Sequence, residues 1–135
     1  AKENNLDEVV VWGSGTPRRE FLYVDDMAKA SLFVQNLDRA AFESHAPLTL
    51  SHINIGIGTD VSIKGLAETV KLVVGFQGCI RFDDTRADGT PQKLLNISRL
   101  NKLGWKAGTS LHDGINETYK SYLDEQKLGS VRGKF

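Results

Sequence analysis

The chain has 135 residues, 40% of them hydrophobic and 25% charged, which suits one ordinary soluble domain with its own core. Lys plus Arg and Asp plus Glu both number 17, so no overall field favours nucleic acid or an acidic membrane surface. No apolar run approaches the roughly 20 residues that span a bilayer, and the first residues do not resemble a signal peptide. The single cysteine excludes an intramolecular disulfide and fits a reducing compartment, so we expect a cytoplasmic protein without membrane or nucleic-acid partners.

The beginning of the chain predicts two short extended segments and then a helix. Residues 9–12, Val-Val-Val-Trp, form a β-branched and aromatic run that stops at a Gly-Ser-Gly-Thr-Pro loop. Residues 20–23 form a second extended piece. Asp25 or Asp26 can cap a helix over about residues 25–37, because apolar side chains recur there at helical spacing.

The middle of the chain predicts a strand, a helix and a second strand. Residues 38–51 read as irregular or weakly helical, and residues 52–55 then read as a strand that ends at a glycine. The next helix is capped by Ser62 and ended by Gly75, and residues 79–82 return as another strand. This order is typical of a βαβ unit.

Two further helices complete the prediction, a short one over residues 98–103 and a last one capped by Ser110. Cys79 has apolar neighbours, which favours a buried strand position over a reactive thiol. The class is therefore α/β or a small α+β fold, a single domain over residues 1–135 with few short strands and about four helices. So thin a sheet indicates that something else covers part of it.

Two segments carry candidate binding chemistry. The first runs from Trp12 through the Gly-Ser-Gly-Thr-Pro loop to Arg19, and offers a stacking ring, a closely approachable backbone and a planar fork of donors for phosphate. It suits a nucleotide diphosphate, but from physics alone a surface turn with an arginine pair explains it equally well. The second, Asp88-Gly-Thr-Pro-Gln-Lys93, could hold hydroxyls and phosphate, although spacing alone favours an Asp-Gly turn with a solvated lysine.

The residues needed for catalysis or for a dinucleotide are missing from the sequence. Gly56-Ile57-Gly58 lacks the third glycine of a dinucleotide fingerprint, so we interpret it as a tight strand-to-helix turn, with Asn54 bonding to backbone. No tyrosine has a lysine four residues later, and the three histidines show no metal-ligand spacing. We therefore predict no catalytic, cofactor-binding or metal-binding residue in this chain.

Taken together, these segments resemble the GDP-L-fucose synthases, members of the extended short-chain dehydrogenases/reductases. The Arg-Glu-Phe and Val-Asp-Asp elements occur across the extended enzymes, whereas their combination with Trp12 and Asp-Gly-Thr-Pro is much more specific. The resemblance covers about residues 9–125. It is carried by VVVWGSGTP, REFL, VDDMA, LSHIN, DGTP, KLL and LGW, in that order.

The resemblance implies that the chain is the carboxy-terminal, substrate-binding part of an enzyme that epimerises GDP-4-keto-6-deoxy-D-mannose at C3 and C5 and reduces it at C4 with NADPH. It marks Trp12, Arg19 and Asp88 as substrate contacts and Lys93 as a neighbour of the GDP site. The amino-terminal Rossmann domain that binds NADPH, and the catalytic residues, would precede residue 1, so the chain alone should be inactive. The parent enzyme is expected to be a homodimer.

Two alternatives remain open at this stage. The chain could be the substrate domain of a related nucleotide-sugar epimerase or dehydratase, with another base or sugar. It could also be a non-catalytic α/β binding module that keeps the scaffold without the chemistry.

Overall fold

The computed structural model describes residues 1–46 and 52–129 and confirms the predicted α/β class. In chain order its elements are β1 (Glu8–Trp12), β2 (Arg18–Arg19), α1 (Val24–Gln35), α2 (Arg39–His45), β3 (Val61–Ser62), α3 (Ile63–Val74), β4 (Cys79–Asp83), β5 (Gln92–Lys93), α4 (Ser98–Lys102) and α5 (Leu111–Lys127).

The described residues divide into two compact units. The first unit comprises the described parts of Ala1–Thr16, Ile63–Asp88 and Ser110–Phe135, and the second those of Pro17–Ser62 and Gly89–Thr109. The boundary falls inside both predicted binding segments, so each segment contributes residues to both units.

The first unit is built on a parallel pair of strands, β1 and β4, in a register that runs from Glu8 opposite Cys79 to Trp12 opposite Asp83. Parallel strands need a crossover, and α3 lies between them in sequence, as in a βαβ unit. Helix α3 packs against α5. Helix α5 begins as predicted, because the Ser110 side chain accepts a hydrogen bond from the Asp113 N–H.

The second unit contains a small mixed sheet with β2 in the centre, antiparallel to β3 and parallel to β5. Its helices bury Ala30 of α1 and Leu100 of α4 completely. Asp26, on the first turn of α1, is also buried, with 3% of its surface exposed. Its carboxylate accepts hydrogen bonds from the backbone N–H groups of Gly108 and Thr109, at 3.0 and 2.8 Å.

Two predicted strands are wrong in detail. Residues 52–55 are not a strand: the alternating apolar positions are half-buried in irregular chain, and the Asn54 amide bonds the Asn96 carbonyl at 3.1 Å instead of joining a ladder. The second strand is Arg18–Arg19 rather than residues 20–23, because only those two residues find partners on both sides. The parallel unit therefore joins β1 to β4 through α3.

Two other expectations also need correction, whereas the helical alternative for residues 38–51 is confirmed in their described part. Neither Asp25 nor Asp26 caps α1, since the helix begins at Val24 and the Asp26 carboxylate caps another backbone segment. Cys79 lies on β4 as predicted but is exposed, because its sheet has two strands in the described part of the chain. The described part of residues 38–51 holds a seven-residue helix, α2, which brings the helices of the described ranges to five.

Candidate functional site

In the first unit, β1 and β4 end side by side at Trp12 and Asp83. Beyond them the Gly13 N–H donates to the Asp83 carbonyl at 2.8 Å, so the loops that leave the two strands remain together. Open α/β sheets bind ligands outside the carboxyl ends of their strands. This edge is therefore the place in the first unit where a ligand is expected.

Trp12 is the most accessible aromatic surface at this edge, with 72% of its surface exposed. The guanidinium carbon of Arg86 lies 5.0 Å from its ring centroid, in a cation–π contact. Asp83 holds this arginine from two sides, since its carbonyl accepts from the Arg86 N–H at 3.2 Å and its carboxylate lies 3.8 Å from Nε. Within the described ranges the guanidinium makes no hydrogen bond, so its donors are available for an anion.

Asp88 is bonded to the loop that follows Trp12. Its carboxylate accepts from the Ser14 N–H at 2.9 Å and from the Ser14 hydroxyl at 2.6 Å. These bonds, the hydroxyl first, lower the pKa of Asp88 below its ordinary value, so the side chain is an anion at neutral pH. A carboxylate has about four acceptor positions, and those not used by Ser14 can meet a ligand.

Glycines shape this loop because the backbone turns through the left-handed region. Gly13 and Gly15 have φ values of 88° and 76°. A Cβ on Gly15 would also lie 2.5 Å from the Phe82 ring. The loop therefore requires glycine at this position both for its conformation and for its packing on β4.

In the second unit, Arg19 and Lys93 lie opposite each other on the parallel strands β2 and β5. Residues in register on neighbouring strands point to the same face of a sheet, so the two cationic side chains share a face. Neither has a carboxylate partner within residues 1–46 and 52–129. Arg19 is instead oriented by its own strand, because its Nη1 donates to the Arg18 carbonyl at 2.6 Å.

Arg18 differs from its neighbour because its charge is neutralised. Its Nε donates to the Asp60 carboxylate at 2.7 Å, and Gln92 donates to the other oxygen of Asp60 at 2.5 Å. The bond from Gln92 and then the bond from Arg18 lower the pKa of Asp60. Of the arginine pair, only Arg19 keeps a positive charge free for a ligand.

Glu20 is a third charged residue of this segment, and its sequence context predicts no role for it. Its Oε1 accepts from the N–H groups of Ile57 and Gly58, both at 2.6 Å, and its Oε2 accepts from the Leu95 N–H at 3.0 Å. The turn at Gly56-Ile57-Gly58 is thus present, but a carboxylate holds it and it joins irregular chain to β3. The residues next to Glu20 in the sequence do not reveal that three backbone N–H groups donate to its carboxylate.

The structure thus groups the four predicted residues as two pairs. Trp12 and Asp88 belong to one loop cluster of the first unit, and Arg19 and Lys93 to one strand pair of the second. The structure adds Arg86 and Glu20 to the candidate residues. Among the residues described, no group of three or more His, Cys, Asp or Glu side chains is placed to hold a metal ion, and no helix is both long and apolar enough to cross a membrane.

The chain has relatives along almost its whole length. Residues 1–56 match the NAD dependent epimerase/dehydratase family. The GDP-L-fucose synthase of Escherichia coli is 48% identical over 93% of the chain, and a putative GDP-L-fucose synthase 2 of Arabidopsis thaliana is 52% identical over 92% of it. The chain spans 39% and 35% of the length of these two proteins.

A solved structure of a related protein has the same fold. The GDP-mannoheptose C4 reductase of Campylobacter jejuni, solved with NADP bound, is 39% identical and superposes with a TM-score of 0.73. The match covers 87% of this chain and 35% of that one. The resemblance to GDP-L-fucose synthases found in the sequence is therefore confirmed.

Proposed function

We propose that this chain, whose relatives are GDP-L-fucose synthases, is the GDP-sugar-binding part of an enzyme that converts GDP-4-keto-6-deoxy-D-mannose to GDP-L-fucose. The enzyme would epimerise C3 and C5 and then reduce the C4 ketone. The observation that carries the proposal is the identity of 48–52% with two such synthases over more than nine-tenths of the chain. The pair of unneutralised cations at Arg19 and Lys93 supports a diphosphate ligand.

Each candidate residue has a proposed role that follows from its chemistry. Arg19 and Lys93 hold the diphosphate, since a planar guanidinium and an ammonium on one face suit adjacent phosphates. Trp12 packs beside the nucleotide sugar, with Arg86 as a further donor for its anionic groups. Asp88 accepts hydrogen bonds from hydroxyl or base donors of the ligand.

The cofactor of the proposed reaction is NADPH, which supplies the hydride for the C4 reduction. This chain has no complete glycine fingerprint and no Tyr-Lys pair, so we assign cofactor binding and catalysis to a part of the enzyme outside residues 1–135. The match of the chain to only 35–39% of the synthases fits this division. We propose a cytoplasmic homodimer in which residues 1–135 act as one substrate-binding domain.

The decisive experiment incubates the gene product that contains this chain with GDP-4-keto-6-deoxy-D-mannose and NADPH. We expect oxidation of NADPH and formation of GDP-L-fucose, identified by chromatography against the authentic compound. Turnover of other GDP-4-keto sugars without GDP-L-fucose would indicate a related GDP-sugar reductase. GDP binding without any NADPH oxidation would indicate a non-catalytic binding module.

A second experiment tests the division of roles with residues 1–135 alone. We expect no change in NADPH fluorescence on titration with the chain, because it lacks the strand-to-helix phosphate site for a dinucleotide. Binding in the micromolar range would show that the Gly56-Ile57-Gly58 turn had been misinterpreted.

A further inference from the structure

The strand pair that presents Arg19 and Lys93 is very short. Strands β2 and β5 contain two paired positions, Arg18 opposite Gln92 and Arg19 opposite Lys93. Two residue pairs define the spacing and direction of a strand only weakly, because few ladder hydrogen bonds are formed. Some other interaction must continue the pairing just after the two cations.

The Glu20 side chain provides that interaction. Glu20 follows Arg19 directly, and its Oε2 accepts from the N–H of Leu95, two residues after Lys93, at 3.0 Å. Its Oε1 accepts from Ile57 and Gly58, both at 2.6 Å, so one carboxylate joins three chain segments. Bonds from N–H groups to a carboxylate are stronger than neutral ones, which suits a link that replaces a ladder.

The Glu20 carboxylate forms no ion pair with the neighbouring Arg19 among the described side chains. A free carboxylate next to Arg19 could form an ion pair with it and cancel the charge that a phosphate needs. No ion pair involving Arg19 occurs among the described side chains, while both oxygens of Glu20 are occupied by backbone donors. The carboxylate thus aligns the strands without neutralising the arginine.

We propose that Glu20 is a positioning residue for the diphosphate grip of Arg19 and Lys93, an inference that rests on the function proposed above. Glu20 touches no ligand in this role. It acts by fixing the distance between two cations that must contact one diphosphate together. Charge-assisted contacts to phosphate depend on geometry, so a change in the spacing of the two cations should weaken their joint contact with the diphosphate.

The test introduces Glu20→Gln into the full gene product and measures the Kd for GDP by calorimetry. A glutamine has one acceptor oxygen and would turn its NH2 group toward an N–H donor, so one of the three links is lost. We expect GDP to bind about tenfold more weakly, with NADPH affinity unchanged. In a double-mutant cycle with Arg19→Ala, the effect of Glu20→Gln should fall below about twofold, because it acts through the arginine.

Asp26→Asn is the matched control. Asp26 also lies in the second unit, and its carboxylate also accepts from backbone N–H groups, but it is not next to either cation. We expect this variant to lower Tm and to change the Kd for GDP by less than about twofold. An equal loss of affinity in both variants would overturn the proposal in favour of general destabilisation.

A second variant keeps the test open if Glu20→Gln does not fold. A Cβ on Gly56 would meet the Glu20 carboxylate, so Gly56→Ala displaces that group without removing its charge. We expect Gly56→Ala to weaken GDP binding as Glu20→Gln does, and to have no such effect in the Arg19→Ala background. The inference would be overturned if either folded variant bound GDP with wild-type affinity, or if its effect were fully additive with that of Arg19→Ala. A wild-type protein that does not bind GDP would refute the proposed function instead.

Discussion

Arg19 and Lys93 lie opposite each other in register, and neither is paired with a carboxylate in the described part of the chain. Arg18, one residue earlier, is bonded to Asp60 at 2.7 Å. Two adjacent arginines therefore have different tasks, one in the structure of the sheet and one available to an anion.

Replacing Arg19 by alanine in the full protein should weaken GDP binding by about tenfold or more, since a charge-assisted contact is worth about 1.5–3 kcal/mol. NADPH affinity should not change. Calorimetric titration with each ligand measures both effects. Arg39→Ala, which removes the same charge from an exposed helix of the same unit, should leave GDP affinity as it is. An equal loss of affinity for GDP and for NADPH would indicate misfolding.

Asp88→Asn should raise the KM for the GDP-sugar more than it lowers kcat. Asparagine keeps the shape and one acceptor for the Ser14 N–H, but it loses the charge that favours hydroxyl or ring N–H donors of a ligand. Steady-state kinetics of the full enzyme decide between the outcomes. If kcat disappeared with KM intact, Asp88 would take part in the chemistry itself.

Arg86→Gln should weaken the binding of GDP more than that of guanosine, because the unused guanidinium donors beside Trp12 suit phosphate. Fluorescence titration with the two ligands gives the ratio. Arg81→Gln is the control: Arg81 lies on β4 of the same unit, and its guanidinium donates hydrogen bonds to the Glu8 carboxylate, whereas that of Arg86 donates none within the described residues. The role of Arg86 would be refuted by equal losses for GDP and guanosine, or by an equal effect of Arg81→Gln.

Asp26 should make stability depend on pH in the acid range. Burial alone would raise its pKa, but the bonds from Thr109 and Gly108 and the nearby Lys29 outweigh burial and lower it. Because the pKa is lower in the folded state, the ionised carboxylate stabilises the fold at pH values above the unfolded-state pKa of 3.8. This stabilisation is lost as the pH falls through the folded-state pKa. Thermal melts should therefore show that Asp26→Asn lowers Tm at neutral pH and that the difference narrows in acid. A constant difference would contradict this account.

Helices were the best predicted part of the fold because their signals are local. Apolar spacing and the Ser110 cap placed α5, and Gly75 correctly marked the end of α3. Strands depend on partners distant in sequence, which local patterns do not contain. Residues 52–55 alternate like a strand but have no ladder, and beyond Arg19 it is the Glu20 side chain that bonds to the segment after β5.

The candidate site shows the same division between local and distant information. Trp12, Arg19, Asp88 and Lys93 were named from the resemblance together with their chemistry. Glu20 and Arg86 were missed because their roles depend on contacts across the fold, with Leu95 for one and with the Trp12 ring for the other. Arg86 did leave a signal, a cation two residues before Asp88 in a polar loop.

The Glu20 linkage also limits how this protein can be redesigned. Residues 19–20, the 56–58 turn and residues 93–95 share one carboxylate. If only one of these segments were replaced by the loop of an enzyme with another sugar preference, the carboxylate would lose some of its N–H donors. The three segments should therefore be transferred together, and a chimera made in this way should keep its affinity for the nucleotide.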